Sequence, residues 1–330
     1  MKAPVVLVTA RMFGRLGDTA IRRLEDAGCE LWLAVGRARP LLEDDVRRLL
    51  DGVVAVIAGI EPWTDGLMAQ ARDLRLICRF GVGYDSVDLD AATRRRILVA
   101  VTPSANQTGV AEFTVALIPA VTRRVASQDA GVKRGEWGPD PGPELRGRTL
   151  GIVGLGAIGR VVADLARAFG MRVVACELAP DPAFMSSRNI KLMDLDTMLA
   201  ESDVVSLHVP LTPQTRKLIN AAALAKMRPG AYLINTARGA LVDEDALYDA
   251  LATGHLAGAG LDVADPEPPR DRRLAGLSHV VMTPHMAGLS TDSIARMDAS
   301  AVDTTLAVLQ GKCPATILNP EVARSAGREG

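Results

Sequence analysis

The stretch Leu150-Gly151-Ile152-Val153-Gly154-Leu155-Gly156-Ala157-Ile158-Gly159 decides the fold, because it joins an apolar strand, a GxGxxG turn and the start of a helix. In such a unit Gly154 makes the tight turn, Gly156 lets the backbone approach a pyrophosphate, and Gly159 lets helix and strand pack closely. The helix N-terminus offers free N–H groups to the phosphates. The sequence therefore predicts a dinucleotide site, whose expected contacts are Gly154, Gly156, Ala157, Ile158 and Gly159.

An acidic residue stands at the end of the next predicted strand. Glu177 lies 18 residues after Gly159, close to the spacing of about 20 expected for an acid that binds the ribose. Such an acid accepts hydrogen bonds from the ribose hydroxyls and repels a 2′-phosphate. We therefore predict that the cofactor is NAD rather than NADP.

Short apolar runs alternate with amphipathic stretches along the whole chain, which predicts an α/β fold with parallel sheets wound on both faces by helices. The predicted strands are Val5–Thr9, Leu31–Val35, Val53–Ala58, Leu74–Phe80, Ile97–Thr102, Leu150–Gly154, Arg172–Glu177, Asp203–Val209, Ala231–Ala237, Gly258–Val263 and Val280–Thr283. The predicted helices are Asp18–Ala27, Glu43–Leu50, Asp65–Ala71, Val87–Arg95, Val110–Lys133, Ile158–Phe169, Ala221–Lys226, Glu244–Ala252 and Ser290–Leu309.

The organisation predicts two domains. A chain of 330 residues is long enough for two, and Thr102-Pro103 is a plausible hinge, since proline restricts the residue before it. We expect residues 1–103 with 287–330 to form a substrate domain and residues 104–286 to form the NAD-binding domain.

Composition argues against several functional classes. The net charge of −1 gives no basic excess for nucleic acid or anionic lipid, and the aromatic content is 3%. No apolar stretch reaches the roughly 18 residues of a membrane span, and the N-terminus predicts a strand rather than a signal peptide. The four cysteines have no metal-ligand spacing. We expect a cytoplasmic protein that has no metal site.

Three ionisable residues, Arg238, Glu267 and His285, each follow the end of a predicted strand in the second domain. Each alone would be an ordinary loop or surface residue. Because ligands bind at the carboxyl edge of an open parallel sheet, their joint placement beside a dinucleotide motif predicts that they meet over the nicotinamide. Val209 and Pro210, at the end of the predicted strand Asp203–Val209, are expected to flank the adenine pocket.

These residue types suit hydride transfer between nicotinamide and a 2-hydroxy acid. His285 would act as the acid and base, since histidine titrates nearest to neutral pH. Glu267 would favour the imidazolium and fix its tautomer. Arg238 would offer a fork of donors to the substrate carboxylate and carbonyl.

At these positions the sequence resembles the D-isomer-specific 2-hydroxyacid dehydrogenases, and most closely their phosphoglycerate-dehydrogenase-like branch. The resemblance covers nearly the whole chain. It is carried by Arg79-Phe80-Gly81-Val82-Gly83-Tyr84-Asp85-Ser86-Val87-Asp88, Gly154 to Gly159, Leu207-His208-Val209-Pro210-Leu211-Thr212, Asn235-Thr236-Ala237-Arg238-Gly239, Leu261-Asp262-Val263, Glu267-Pro268 and Thr283-Pro284-His285.

The resemblance implies two flavodoxin/Rossmann-like domains with the active site in the cleft between them. It implies a homodimer formed partly through the helix near residues 110–133. It places the catalytic roles on Arg238, Glu267 and His285. The implied substrate-binding residues are Arg79, Phe80, Gly81, Val82, Gly83, Arg238 and His285. The further implied cofactor contacts are Thr215, Thr236, Ala237, Arg238, Asp262, His285 and Gly288.

The sequence departs from the family pattern where Ala264 replaces an aromatic residue, and in the run Met286-Ala287-Gly288. Arg79 matches a phosphate-binding position of phosphoglycerate dehydrogenases, but the second such arginine would fall near residues 58–60, where there is none. Glyoxylate, hydroxypyruvate or another small 2-oxo acid is therefore as good a candidate substrate as 3-phosphoglycerate. The alternative functions are D-3-phosphoglycerate dehydrogenase proper, a non-enzymatic NAD(H)-sensing regulator, a relative acting on formate or phosphite, and a hydrolase or lyase on the same sheet.

Overall fold

The computed structural model describes residues 3–34 and 41–325. The chain divides into two compact units, one of Met1–Asn106 with Leu289–Gly330 and one of Gln107–Gly288. Each unit is built on one parallel sheet, which confirms the predicted α/β class. No helix in the described ranges is long and apolar enough to cross a membrane.

The first unit has a five-stranded parallel sheet in the order β2-β1-β3-β4-β5, the order of a flavodoxin-like sheet. Its strands are β1 (Val5–Val8), β2 (Glu30–Leu33), β3 (Val53–Ala58), β4 (Leu76–Arg79) and β5 (Leu98–Ala100). Its helices are α1 (Thr19–Asp26), α2 (Glu43–Arg47), α3 (Asp65–Met68), α4 (Leu89–Arg94), α12 (Thr291–Leu309) and α13 (Glu321–Ser325).

The second unit has a seven-stranded parallel sheet in the order β12-β11-β10-β9-β6-β7-β8. Its strands are β6 (Thr149–Val153), β7 (Arg172–Cys176), β8 (Lys191–Leu192), β9 (Val204–Leu207), β10 (Ala231–Asn235), β11 (Leu256–Leu261) and β12 (Val280–Met282). Its helices are α5 (Gln107–Thr122), α6 (Val125–Lys133), α7 (Ala157–Ala168), α8 (Pro182–Ser187), α9 (Leu195–Glu201), α10 (Ala221–Lys226) and α11 (Glu244–Ala252), with short 3-10 turns at Gly239–Leu241 and Leu274–Gly276. The order reverses between β6 and β9, which makes the switch point of a Rossmann sheet.

Both faces of each sheet are buried. In β1, Val5 and Leu7 pack into one apolar cluster, while Val6 and Val8 pack into another. Successive side chains of a strand point to opposite faces, so continuous apolar runs are what a sheet covered on both faces requires. This explains why the strands could be read directly from the sequence.

The predicted single helix over Val110–Lys133 is wrong, because the structure has two helices there. The first ends at Thr122 and the second begins at Val125. Between them Arg124 adopts the left-handed conformation, with φ of 51°, which a right-handed helix cannot accommodate. Elsewhere most predicted strands extend one to three residues beyond the observed ones, and Val35 of the second predicted strand lies outside the described residues.

Candidate active site

The glycine turn between β6 and α7 has a steric reason for two of its glycines. Gly154 has φ of +93°, and a Cβ there would lie 2.8 Å from the carbonyl oxygen of His208. A Cβ at Gly159 would lie 2.1 Å from the carbonyl oxygen of Gly154. Gly156 differs, since a Cβ there would meet no described atom within 4 Å. Gly156 therefore faces open space, where a ligand could approach the backbone.

The predicted ribose acid is held beside this turn. One Glu177 carboxylate oxygen accepts a hydrogen bond from the amide of Leu155 at 2.6 Å, and the other accepts from the amide of Ala179 at 2.9 Å. The following Leu178 is 99% exposed. The Glu177 carboxylate thus lies directly beside the glycine turn, and the neighbouring Leu178 side chain is exposed to solvent.

The segment after β9 borders the same turn. Val209 Cγ1 would lie 2.8 Å from a Cβ at Gly154, and Thr215 Oγ1 donates to the carbonyl oxygen of Pro210 at 2.7 Å. The open backbone at Gly156, the free N-terminus of α7 and the carboxylate of Glu177 form a donor and acceptor set that fits a dinucleotide.

His285 and Glu267 are in direct contact. The Nδ1 atom of His285 lies 2.7 Å from a carboxylate oxygen of Glu267. Their side chains are 32% and 23% exposed, so the pair is reachable yet largely shielded. A carboxylate beside Nδ1 favours the tautomer with the proton on Nδ1, which leaves Nε2 facing away from Glu267 and able to exchange a proton with a ligand.

His285 lies in a turn whose backbone conformation fixes the direction of its side chain. Its φ is 54°, a left-handed conformation in which histidine is enriched among non-glycine residues. Its amide donates to the carbonyl oxygen of Asp262 at 2.8 Å. Asp262 is buried, and its carboxylate accepts from Thr283 Oγ1 at 2.6 Å, from the Met286 amide at 2.9 Å and from the Ala287 amide at 2.7 Å. Burial raises the pKa of Asp262, while these hydrogen bonds and nearby His285 lower it. The Asp262 carboxylate thus holds the turn at Met286 and Ala287, the two residues before Gly288. Its predicted contact with the nicotinamide amide stays a prediction.

Arg238 begins the segment after β10, where Asn235 fixes the backbone. The Asn235 side chain donates to the carbonyl oxygen of Arg238 at 2.8 Å and accepts from the amide of Ala237 at 3.0 Å. Thr236 Oγ1 lies 2.8 Å from Thr114 Oγ1 in a buried contact. The predicted cofactor residues Thr236 and Ala237 therefore lie on a firmly held bend directly before Arg238.

Gly239 is a functional candidate that the sequence analysis did not single out. A Cβ at Gly239 would lie 2.1 Å from the carbonyl carbon of Ala264, so the two backbones touch. Ala264 in turn donates its amide to Glu267 at 3.3 Å. The contact between Gly239 and Ala264 thus packs the segment that contains Arg238 directly against the loop that contains Glu267. The only signal in the sequence was the glycine that directly follows Arg238.

The first unit contains the loop Arg79–Gly83 at the end of β4. The Arg79 side chain is 5% exposed, and it donates to the carbonyl oxygens of Ala58 at 2.8 Å and Gly83 at 3.1 Å. Gly81 has φ of +147° and accepts from the Thr102 amide at 3.0 Å. The amides of Val82 and Gly83 make no hydrogen bond within the described ranges. The buried Arg79 side chain therefore stabilises this loop through backbone carbonyl oxygens, and the amides of Val82 and Gly83 are available to a ligand.

His208 is a largely buried histidine outside the acid–base pair. Its Nε2 lies 2.9 Å from Ser206 Oγ, and burial lowers its pKa to about 4. An unfolded histidine titrates near pH 6.5, at which the unfolded chain binds a proton that the folded chain does not. The stability that neutral His208 provides is therefore present above pH 6.5 and is lost as the pH falls toward 4.

Urea unfolding of the wild type and of His208→Asn tests this expectation. Between pH 7 and pH 4.5 the free energy of unfolding should fall by about 1–3 kcal/mol more in the wild type than in the variant. Asp298 has the opposite effect, because burial raises its pKa to about 6, so only the difference between the two proteins is informative. An equal fall in both proteins would contradict the assignment.

The fold and the site together define a dinucleotide-binding α/β protein with a histidine–carboxylate pair. Residues 115–287 match the family model described as D-isomer specific 2-hydroxyacid dehydrogenase, NAD binding domain. The chain therefore belongs to the D-isomer-specific 2-hydroxyacid dehydrogenase family, and the predicted family and the predicted cofactor, NAD, are confirmed.

Named relatives agree with this membership. The chain is 41% identical over 266 residues to a glyoxylate reductase of Thermofilum pendens, covering 78% of each chain. It is 37% identical over 308 residues to a D-3-phosphoglycerate dehydrogenase of Methanocaldococcus jannaschii, covering 92% of this chain but 58% of that one.

Solved structures are similar over almost the whole chain. The TT0316 protein of Thermus thermophilus is 41% identical with a TM-score of 0.86, covering 95% of this chain and 99% of that one. A D-lactate dehydrogenase of Aquifex aeolicus, solved with NAD and lactic acid, is 29% identical with a TM-score of 0.81, covering 97% of this chain and 98% of that one.

Proposed function

We propose that this chain reduces a small, unphosphorylated 2-oxo acid, such as glyoxylate or hydroxypyruvate, to the D-2-hydroxy acid with NADH. The contact of 2.7 Å between His285 Nδ1 and Glu267 carries the proposal. Such a pair can deliver a proton to a carbonyl oxygen and take it back in the reverse direction. Family membership and the similarity to a glyoxylate reductase support it.

Each catalytic residue has one task in this proposal. NADH held at the glycine turn supplies the hydride that reaches C2 of the 2-oxo acid. His285 Nε2 donates the proton that the carbonyl oxygen takes up, and the neutral imidazole is then reprotonated from water. Glu267 stabilises the imidazolium before the transfer. Arg238 binds the substrate carboxylate and polarises the carbonyl through its planar fork of donors.

Recognition of NAD falls to the residues around the glycine turn. We propose that the amides at the start of α7 bind the pyrophosphate and that Glu177 binds the ribose hydroxyls. The carboxylate of Glu177 disfavours a 2′-phosphate by charge. The exposed Leu178, with Val209 and Pro210, would cover the adenine.

The first unit supports an unphosphorylated substrate. We propose that the free amides of Val82 and Gly83 bind a carboxylate, whereas Arg79 serves as the support of this loop. At the end of the neighbouring strand β3, Glu61 is 3% exposed and accepts from the Gly59 amide at 3.0 Å. A Cβ at Gly59 would lie 2.7 Å from a Glu61 carboxylate oxygen. A buried carboxylate there opposes the binding of a phosphate group.

NADH consumption against a panel of 2-oxo acids tests the substrate class. The panel contains glyoxylate, hydroxypyruvate, phosphohydroxypyruvate, pyruvate and 2-oxoglutarate. We expect kcat/KM for hydroxypyruvate to exceed that for phosphohydroxypyruvate by about tenfold or more, because the phosphate would lack partners. The reverse preference would favour D-3-phosphoglycerate dehydrogenase, which is the second candidate because relatives of that name are 37–42% identical. No turnover with NADH binding intact would favour the regulatory alternative.

We also propose that the chain forms a homodimer through the face around α6. Val125 and Val132 line one surface depression and are 54% and 52% exposed, and Trp137, which follows the end of α6, is 88% exposed. Clustered exposed apolar side chains are typical of interaction surfaces. The molecular mass of the protein in solution tests the dimer.

We also propose a cytoplasmic location, which the four free cysteines support.

A further inference from the structure

The loop that carries Glu267 is held at two backbone positions. At Ala264 it touches Gly239, as described above. At Asp265 the amide donates a hydrogen bond of 2.8 Å to a carboxylate oxygen of Glu244. Glu244 is the first residue of α11, so the loop is tied to a helix that contains none of the predicted substrate or cofactor contacts. The position of Glu267 therefore depends on a carboxylate outside the acid–base pair.

Glu244 is a half-buried acid in an environment rich in carboxylates. It lines a cavity of about 300 Å³ together with Asp245, Asp265, Asp271 and Arg270. Burial raises the pKa of Glu244, and the carboxylates of Asp265, Asp245 and Asp271 raise it further, while the hydrogen bond from the Asp265 amide lowers it.

Lys217 and Arg273, two of the cations that line this cavity, are engaged with other acids, as is the nearby Arg216. Lys217 pairs with Asp243 at 3.0 Å, and Arg216 pairs with Asp265 at 3.4 Å. Arg273 pairs with both Asp245 and Asp271. Within the described part of the chain, neither a lysine nor an arginine pairs with Glu244. An acid in this setting gains little from charge neutralisation, so the favourable contact that the structure shows for Glu244 is the hydrogen bond from the backbone of the Glu267 loop.

We propose that Glu244 is a positioning residue that keeps Glu267 against His285 by anchoring the amide of Asp265. The proposal rests on the proposed function, because it assigns His285 and Glu267 to proton transfer. What the position requires is an acceptor of the right length; the negative charge is secondary. Glutamine can supply such an acceptor, whereas alanine leaves the Asp265 amide unpaired and lets the loop move.

Movement of the loop would change how His285 is held. The Glu267 carboxylate lies 2.7 Å from His285 Nδ1 and so orients the ring. If Glu267 withdraws, the ring loses that partner and Nε2 is no longer held toward a ligand. The rate of reduction then falls because the proton donor is misplaced.

Four proteins test the proposal: the wild type, Glu244→Ala, Glu244→Gln and the control Asp245→Ala. Asp245 lies in the same turn of α11 and its carboxylate is 82% exposed in an ion pair with Arg273. In Glu244→Ala we expect kcat for glyoxylate or hydroxypyruvate to fall about 10- to 100-fold, as a small misplacement of a catalytic group does, with the Kd of NADH unchanged. Glu244→Gln and Asp245→Ala should stay within about twofold of the wild type.

Hydrogen exchange of the Asp265 amide, followed by NMR, is the second readout, because this amide donates to Glu244. Its exchange should become faster in Glu244→Ala and stay at the wild-type rate in Glu244→Gln. Glu244→Ala with wild-type kcat and an unchanged exchange rate would overturn the proposal, and so would a Glu244→Gln as impaired as alanine. If Glu244→Ala does not fold, Glu244→Asp, whose side chain is one methylene too short, takes its place with the same expectations. A wild type that turns over no 2-oxo acid would instead refute the proposed function, and the exchange rate of the Asp265 amide would still test the anchor.

Discussion

Replacing His285 with asparagine is expected to lower kcat for the 2-oxo acid about 100- to 10,000-fold, the usual contribution of a positioned acid or base. Asparagine is chosen because it tolerates the left-handed conformation of residue 285, whose φ is 54°. The turn held by Asp262 should therefore survive, and only the titratable group is lost. Steady-state kinetics of NADH oxidation measures the effect.

Two controls make this result specific. The Kd of NADH, measured by fluorescence, should change less than about threefold, since the glycine turn and Glu177 are untouched. Glu267→Gln should lower kcat less than His285→Asn does, because it removes the partner of the imidazolium and leaves the proton donor in place. Activity of His285→Asn near that of the wild type would show that another group transfers the proton.

A methyl group at Gly239 is expected to damage the site as severely, although the residue has no side chain to contribute. In Gly239→Ala the new Cβ would lie 2.1 Å from the carbonyl carbon of Ala264 and 2.3 Å from its oxygen. Both neighbours are backbone, so the segment of Arg238 and the loop of Glu267 must separate. We expect kcat/KM to fall about 100-fold or more, with KM for the 2-oxo acid raised as Arg238 moves. Overpacking of this kind also costs about 1–3 kcal/mol of stability.

Gly276→Ala is the matched control for this variant. Gly276 also belongs to a short 3-10 turn of the second unit, but a Cβ there meets no described atom within 4 Å. Its activity and its midpoint of unfolding should stay close to those of the wild type. If Gly239→Ala were as active as Gly276→Ala, the contact between Gly239 and Ala264 would not control the geometry of the site.

The strands and the glycine turn could be predicted because their signals are local. Runs such as Val53–Ala58 are apolar on both faces of a sheet, and the observed strand β3 has the same limits. The break between α5 and α6 could not be predicted in this way, because Arg124 carries no glycine or proline signal for a left-handed residue. The short strand β8 was missed as well, since its two residues are both exposed.

Within the candidate site, the sequence indicated which residues follow strand ends but not how they are supported. His285 and Glu267 were placed together by the rule for parallel sheets, and the structure brings them within 2.7 Å. The support from Glu244 and Gly239 depends on contacts between segments 20 to 30 residues apart, as the pair Asp265 and Glu244 illustrates with a separation of 21. Such contacts cannot be predicted from a local sequence pattern. The burial of Arg79 could likewise not be predicted from the sequence, and its predicted contact with the substrate stays a prediction.

The fate of a labelled hydride tests the central claim most directly. The protein would be incubated with hydroxypyruvate and NADH that carries deuterium at both hydrogen positions of C4 of the nicotinamide, and the product would be analysed by mass spectrometry and chiral chromatography. Our account predicts glycerate that carries one deuterium at C2 and has the D configuration, formed by the wild type and at a far lower rate by His285→Asn. Product without deuterium at C2, or product of the L configuration, would contradict it.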